Sequence, residues 1–369
     1  MKKKVLALVL AGSMLAMTAC GSSSDSDAEE ETEEETEETE EESTEETEEE
    51  TSEETSEETS EEEESEEETA ASDESFTIGI CQLVQHDALD AATEGFIDTV
   101  TEYYGDNVTI DEQNAQNDTA TCSTIVTGFV SNNYDLILAN ATPALQAAVA
   151  ATSDIPILGT SVTDYATALD LDDFDGTTGM NVSGTSDLAP LDQQEDMILE
   201  LCPDVEKVAV VYCSSEANSV YQADVIEGYL DEDGVAWAEF TFADSNDMQS
   251  VINSAVAECD VIYIPTDNTA ASNMTIVSNI TEPLGIPVFC GEENMTSVGG
   301  LATLSISYYD IGVAAGEMAI DILSNGTDVS TIPIGYAEEV TKEYNAEYAE
   351  AIGMEMPDDY VPIETDDEE

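Results

Sequence analysis

Polar residues of a few kinds recur in this sequence wherever a short apolar run ends. Cys81, Gln82, His86 and Asp87 follow one run; Asn114, Gln116 and Asp118 follow the next. Ala141 and Thr142 follow a third, with Pro143 after them, and Thr160, Ser161, Val162, Thr163 and Asp164 follow a fourth. A second series repeats the arrangement: Ser214, Ser215, Asn218 and Ser219, then Thr266, Asp267 and Asn268, then Glu292, Glu293 and Asn294. These are hydroxyls, amides and a few carboxylates, and the chain contains no arginine. A bound carboxylate must then be met by hydroxyls and by backbone N–H groups, which a helix N-terminus presents with a favourable dipole. Thr142 fits such a start, since proline is favoured in a first helical turn. Asp267 or Glu292 would suit an ammonium. A small zwitterion thus finds a partner for each pole, in different halves of the chain. Taken singly, each residue reads equally well as a helix cap or a turn; the grouping is what points to a ligand.

Other chemistry is sparse. His86 is the one histidine of the chain; a pH switch or base is open to it, and a structural role or a ligand contact is the simpler expectation. Of seven cysteines, Cys81, Cys122, Cys202, Cys213, Cys259 and Cys290 fall on expected strands and helices, where buried free thiols are expected. Cys81 and Cys213 each follow the first strand of a half. That placement allows a competing reading as a two-lobed amino-acid racemase, with one thiolate on each side of a cleft. Neither cysteine lies in the Gly-Cys-Thr-His context of those enzymes. No catalytic residue, metal or cofactor is expected.

The elements that must position these groups alternate in kind. Phe76–Cys81, Val108–Asp111, Leu136–Ala139 and Ile155–Leu158 read as buried strands, with helices over Leu89–Tyr104, Thr119–Asn132 and Ala144–Thr152. The pattern then restarts. Strands are expected at Val208–Tyr212, Trp237–Phe242, Val261–Ile264 and Val288–Phe289, and helices at Ser219–Glu232, Asp247–Ala257 and Ala270–Ile280. Such alternation indicates βαβ units and parallel sheets. Asp135–Thr142 and Asp260–Asp267 resemble each other, which suggests an internal duplication. The expectation is an α/β fold of two similar Rossmann-like lobes joined by a hinge, with the single Trp237 in a core. Asn181–Gly184, Leu301–Ser307 and Ile332–Val340 would carry the chain between lobes. The expected lobes are 76–184 plus 307–331, and 185–306 plus 332–357, with 358–369 an acidic tail. Ligands of open α/β sheets sit at the carboxyl ends of strands, so both lobes would face one cleft and close on it.

Charge and composition exclude other classes. The chain of 369 residues has 86 acidic against 5 basic residues, a formal net charge of −81. Nucleic-acid binding needs many lysines and arginines, of which the chain has five lysines and no arginine, and a net-anionic ligand would be repelled at long range. Residues 1–20 read as an export signal: Lys2 to Lys4, an apolar run from Val5 to Met17, then Met17-Thr-Ala-Cys20, which resembles a bacterial lipobox. Cys20 would carry lipid, anchoring the chain to the cell membrane without spanning it. Residues 21–75 are nearly all Ser, Thr, Glu and Asp, too polar to fold. They read as an extended tether, with calcium or cell-wall binding as the alternative.

One set of motifs occurs in a familiar order. Ile78-Gly-Ile-Cys-Gln82, Gln85-His-Asp-Ala-Leu-Asp90, Gly95-Phe96, Asn114-Ala-Gln116 and Thr142-Pro143 come first. Val162-Thr-Asp164, Asn181-Val-Ser-Gly184, Asn218-Ser219 and Pro265-Thr-Asp-Asn-Thr269 follow. From Phe76 to about Pro357 the chain resembles the ABC-transporter substrate-binding proteins associated with tryptophan and tyrosine uptake. The resemblance implies a type I periplasmic-binding-protein fold, an aromatic amino acid as ligand, and a permease and an ATPase on separate chains. It implies that Thr142 and Thr163 meet the ligand carboxylate and Asp267 the ammonium. Tyr165 stands where the family often has proline, and Leu169–Gly179 is unusually acidic, so the ligand itself is open. Tyr212, Phe289 and Tyr308 are candidates for an aromatic wall. The expected site is Gln82, His86, Thr142, Thr163, Asp164, Asn218, Thr266, Asp267, Asn268 and Glu292, in a monomeric, extracytoplasmic, lipid-anchored protein. A sensing receptor subunit without transport, or a cell-surface structural protein, is the alternative to an importer component.

Overall fold

The computed structural model describes residues 74–363, apart from Glu338. The expected signal segment, Cys20, nearly all of the tether and the last six residues lie outside that range.

Five strands open the chain: β1 (Phe76–Gln82), β2 (Val108–Asn114), β3 (Leu136–Asn140), β4 (Ile157–Thr160) and β5 (Val182–Ser186). Between them lie α1 (Asp87–Tyr104), α2 (Thr119–Ser131), α3 (Thr142–Ala151) and α4 (Tyr165–Leu169). All pairings in this sheet are parallel, in the order β5-β4-β3-β1-β2. Parallel sheets are covered on both faces, which is why β1 and β3 read as unbroken apolar runs. Side chains alternate across the sheet: Ile78 and Ile80 join the core under α1, whereas Cys81 joins the core under α2 and α3. The edge strand β2 reads Val-Thr-Ile-Asp-Glu-Gln-Asn and is half exposed.

The second series runs α5 (Leu191–Leu201), β6 (Lys207–Cys213), α6 (Ala217–Asp233), β7 (Ala236–Phe242), α7 (Ser245–Glu258) and β8 (Val261–Ile264). It continues with α8 (Asn268–Ala271), α9 (Met274–Thr281), β9 (Val288–Cys290), α10 (Glu293–Gly299) and β10 (Ala302–Ser305). Its order, β10-β9-β8-β6-β7, repeats that of the first sheet. The two lobes are alike in topology, as the repeated sequence pattern predicts. The helix expected over Ala270–Ile280 is two helices, because the chain turns at Asn273, whose N–H bonds Ala270 O.

The crossings fall later than expected. Asn181–Gly184 leads into β5, buried along its whole length, and Leu301–Ser307 contains β10 of the second sheet. After α11 (Tyr308–Asn325), β11 (Gly335–Tyr336) returns to the first sheet beside β5. Ile332 and Pro333 accept from Ser183 Oγ there. Residues 332–336 therefore belong to the first lobe, and the chain changes sheets near 187–190, 306–307 and 337–340. β12 (Thr341–Tyr344), α12 (Ala346–Ile352) and β13 (Val361–Pro362) complete the second lobe. β12 runs antiparallel to β10 and β13 parallel to β12, so residues 358–363 are not a free tail.

α11 is held to the first lobe by close packing on α1. A Cβ at Gly95 would strike the Tyr309 carbonyl, and one at Gly312 would strike that of Ala92. Glycine is required by this approach, not by the backbone angle. Trp237 is not core: it lies half-buried on the edge strand β7, its ring N–H bonded to Asp231 Oδ1 at 3.0 Å. Among the described residues no helix is long and apolar enough to cross a membrane, and none of the six cysteines there is in a disulfide.

Candidate functional site

The strand ends of both lobes meet at one cleft. His86, the residue before α1, brings Nε2 to 3.4 Å from Asn268 Oδ1, and Asn117 Nδ2 donates to Thr269 Oγ1 at 3.1 Å. At the crossings, Tyr308 OH donates to Asp187 Oδ2 at 2.9 Å. The lobes are thus in contact. A gap of about 10 Å³ remains between His86, Leu89, Thr266, Asp267, Asn268, Ala271, Glu292, Met295 and Tyr308. That is at most the room of a single water, so a small organic molecule enters this part of the cleft only if the lobes separate. A larger cavity of about 830 Å³ lies beside the crossings, bounded by Ser305–Ile311, by Tyr336, Ala337 and Glu339, and by the strand-end residues Asp87, Thr185, Glu293 and Asn294.

Of nine buried side-chain polar atoms without partners among the described residues, four lie at the cleft; those of Asn140, Glu195, Glu227, Thr303 and Glu343 lie elsewhere. Ser161 Oγ, Asp187 Oδ1, Asn218 Oδ1 and His86 Nδ1 are enclosed and unbonded among the described residues. Such atoms are uncommon, because an unmet buried polar group costs about 1–3 kcal/mol. All four sit at or just past the carboxyl ends of strands or at a crossing, from both lobes. Backbone strain lies beside them. Ala141 holds φ 88° and ψ 155°, a region essentially reserved for glycine. Ser161 follows at φ 53°. Ala141 precedes α3 and supplies no side-chain cap, which leaves the first-turn N–H groups beside the buried Thr142 for another acceptor.

Asp187 is a buried acid at a crossing, bonded to the cleft residue Tyr308, and the sequence reading missed it. It ends the strand Val-Ser-Gly-Thr-Ser, whose small polar residues look like a loop. A lone acid closing a buried strand was the signal available. Asp187 is 4% exposed, and no lysine of the described residues acts on its charge. Burial pushes its carboxyl above the usual range, against the pull of the Tyr308 and Thr163 hydroxyls. Glu292 and Tyr308 lie close enough to feel its charge.

The expected site residues divide. Thr142, Thr163, Thr266, Asn218, His86 and Asn268 lie at the cleft, Thr163 facing Asp187 and Thr266 facing the Tyr308 hydroxyl. Asp267 and Glu292 are buried but already occupied. Asp267 accepts from Cys213 N at 2.7 Å and Ala270 N at 2.8 Å; Glu292 accepts from Asn294 N and Met295 N, both at 2.7 Å. Burial and the neighbouring Glu216 push Asp267 upward, and burial pushes Glu292 up to about 7. Asp164 caps α4 through Thr167 N. Gln82 turns under α1, with Asp90, Val84 and Thr93 taking all of its amide, so it faces away from the cleft. Phe289 is core, Tyr212 bonds Glu239 on the outer side, and Tyr165 is buried with its hydroxyl on Thr185 O at 3.1 Å. Of the proposed aromatic wall only Tyr308 is at the cleft.

The two strand-end thiols are not arranged as a catalytic pair. Cys81 packs against Cys122 inside the first lobe, which together with burial drives its pKa upward. Cys213 belongs to the other lobe's core and is also pushed up by burial. A thiol acting as a base needs a nearby cation or another device that lowers its pKa, and both lack it.

Known proteins resemble this chain in sequence and fold. A profile of the family described as ABC transporter substrate binding protein matches residues 77–364. The chain is 39% identical over 287 residues to the tyrosine-binding protein of Clostridioides difficile strain R20291, covering 77% of this chain and 83% of that one. A domain from Streptococcus pneumonia solved in complex with L-Trp superposes with a TM-score of 0.73 at 31% identity, over 77% of this chain and 96% of that one. The ligand-free, open structure of a substrate-binding protein with adhesive properties from Clostridium difficile gives 0.62 at 39% identity, over 79% and 99%. The open relative thus overlays less well although it is nearer in sequence, in keeping with lobes that touch here.

Proposed function

The chain belongs to the ABC transporter substrate-binding protein family and has the type I periplasmic-binding-protein fold; from that premise we propose that it captures a free aromatic amino acid, tyrosine or tryptophan, between its lobes for an importer. The observation that carries this reading is that Ser161 Oγ, Asp187 Oδ1, Asn218 Oδ1 and His86 Nδ1, from both lobes, are buried without partners where the strand ends meet. The α3 N-terminus with Thr142 and Ser161 suits a carboxylate. Asp187 suits an ammonium, and we assign that pole to it in place of Asp267, whose oxygens already hold two backbone amides. A tyrosine-binding relative and an L-Trp-bound neighbour support an aromatic side chain. Binding to both lobes at once couples capture to closure.

In this reading Cys20 is lipidated, residues 21–75 stand the monomeric domain off the membrane on its outer side, and a permease and an ATPase on other chains complete the transporter. The test is a thermal-shift series with the twenty amino acids. A ligand at 100 times its Kd, bound by the folded form alone, adds about 2.7 kcal/mol. A rise with tyrosine or tryptophan is expected. A response confined to non-aromatic compounds would overturn the ligand class, and no response to any amino acid would overturn capture.

A further inference from the structure

Both hydrogen bonds that cross the cleft rim land on one turn of the second lobe, Asn268–Thr269. That turn is held by a single carboxylate. Glu216, 4% exposed, accepts from Asn268 N at 3.0 Å and Asn268 Nδ2 at 2.8 Å through one oxygen. Through the other it accepts from Thr269 N at 2.9 Å and Thr269 Oγ1 at 2.7 Å. Glu216 precedes α6 but does not cap it, and His86 precedes α1 but does not cap it either. Both side chains serve the rim instead of their own helices.

The chemistry of these bonds fixes a direction. With four N–H and O–H donors on it, the Glu216 carboxylate acts purely as an acceptor. The Asn268 amide must therefore turn its NH₂ to Glu216 and its oxygen toward the first lobe. The Thr269 hydroxyl must likewise point its hydrogen at Glu216 and leave lone pairs for Asn117. The second lobe then offers only acceptors at the rim, so the first lobe must donate. Asn117 does so through its amide. His86 does so only as the tautomer protonated on Nε2; burial disfavours its charged form.

We infer that Glu216 is a positioning residue for closure: through Asn268 and Thr269 it sets the polarity of the interlobe latch and the tautomer of His86. This rests on the reading of the protein as a binder that closes on its ligand. Replacing Glu216 with glutamine keeps the shape but turns one acceptor into a donor, which faces two donors whichever way the amide is placed.

The experiment uses the full chain with L-tyrosine and L-tryptophan. Closure is read by small-angle scattering and release by stopped-flow fluorescence. E216Q should release ligand about 5- to 30-fold faster, the range for losing one or two ordinary hydrogen bonds. Asn117→Ala should speed release several-fold in the native background and change nothing further in E216Q. Additive losses, or native release by E216Q, would overturn the inference. Should E216Q fail to fold, the tautomer is read in the unmutated chain, where the single histidine gives one pair of imidazole nitrogen signals in ¹⁵N-detected NMR. A proton on Nε2 in the bound state is expected; a proton on Nδ1 alone would overturn the inference. If the native protein neither binds nor closes on these amino acids, the functional reading fails instead.

Discussion

Replacing Asp187 with asparagine tests the zwitterion reading at its centre. The side chain keeps its size and one acceptor oxygen but loses its charge. In the native protein Tyr308 occupies Oδ2, Oδ1 has no partner, and among the described residues no cation acts on it. The cost of burying this acid is thus borne by the empty protein, which is why burial raises its pKa. An arriving ammonium meets a carboxylate that needs no further desolvation. A hydrogen bond to a charged group contributes about 1.5–3 kcal/mol, and stranding one member of a buried ion pair costs about 3–5 kcal/mol. Asparagine retains a neutral acceptor, so the expected loss is about 2–4 kcal/mol, or roughly 30- to 1,000-fold in Kd.

Calorimetric titration with L-tyrosine and L-tryptophan measures this loss. The same titrations with 3-(4-hydroxyphenyl)propanoate and indole-3-propanoate, which lack the amine, localise it. The native protein should prefer the amino acids strongly, and D187N should show little preference. D187N should also melt higher than the native protein when both are empty, because an uncompensated buried acid is gone. Native affinity for the amino acids in D187N, or an equal loss for the amine-free analogues, would refute the assignment.

Stability should fall as pH rises from about 4 to 8. Burial pushes Glu195, Glu227 and Glu292 each up to about 7, and Asp187, Asp267 and Glu343 also upward. Their unfolded values lie near 4. The native state therefore binds more protons in this window, and the linkage sign makes it more stable at pH 5.5 than at pH 8; a melting temperature that is flat or falls on acidification would contradict this. Gly312→Val should separate α1 from α11 and lower stability by about 1–3 kcal/mol, read by urea unfolding, and an unchanged midpoint would show the helices free to move apart. Among the six described cysteines, Cys202 should react first with Ellman's reagent, slowly because burial raises its thiol to about 11. The other five should react only after unfolding, and rapid native labelling of more than one would argue for an open lobe.

Apolar periodicity and the order of the motifs were enough to read the elements, the doubling and the family. Apolar runs such as Leu136–Ala139 and Val208–Tyr212 are strands because a sheet buried on both faces requires them to be apolar throughout. The recurrence of that pattern was enough to predict two lobes of one topology. Sequence also placed Thr142, Thr163, Asn218, Thr266 and Asn268 at strand ends, because periodicity tells where a strand stops. It did not tell which way a side chain turns there. Gln82 follows β1 as expected yet bends under α1, and Asp267 and Glu292 have the right charge but use it on backbone amides of their own lobe. Asp187 and Glu216 escaped notice for the opposite reason: one follows a strand too small and polar to look like one, and the other is one acid among 86. Only tertiary structure decides which carboxylates are left without partners. That depends on contacts between residues more than a hundred positions apart, such as Asp187 with Tyr308 and Asn117 with Thr269, which no local pattern encodes.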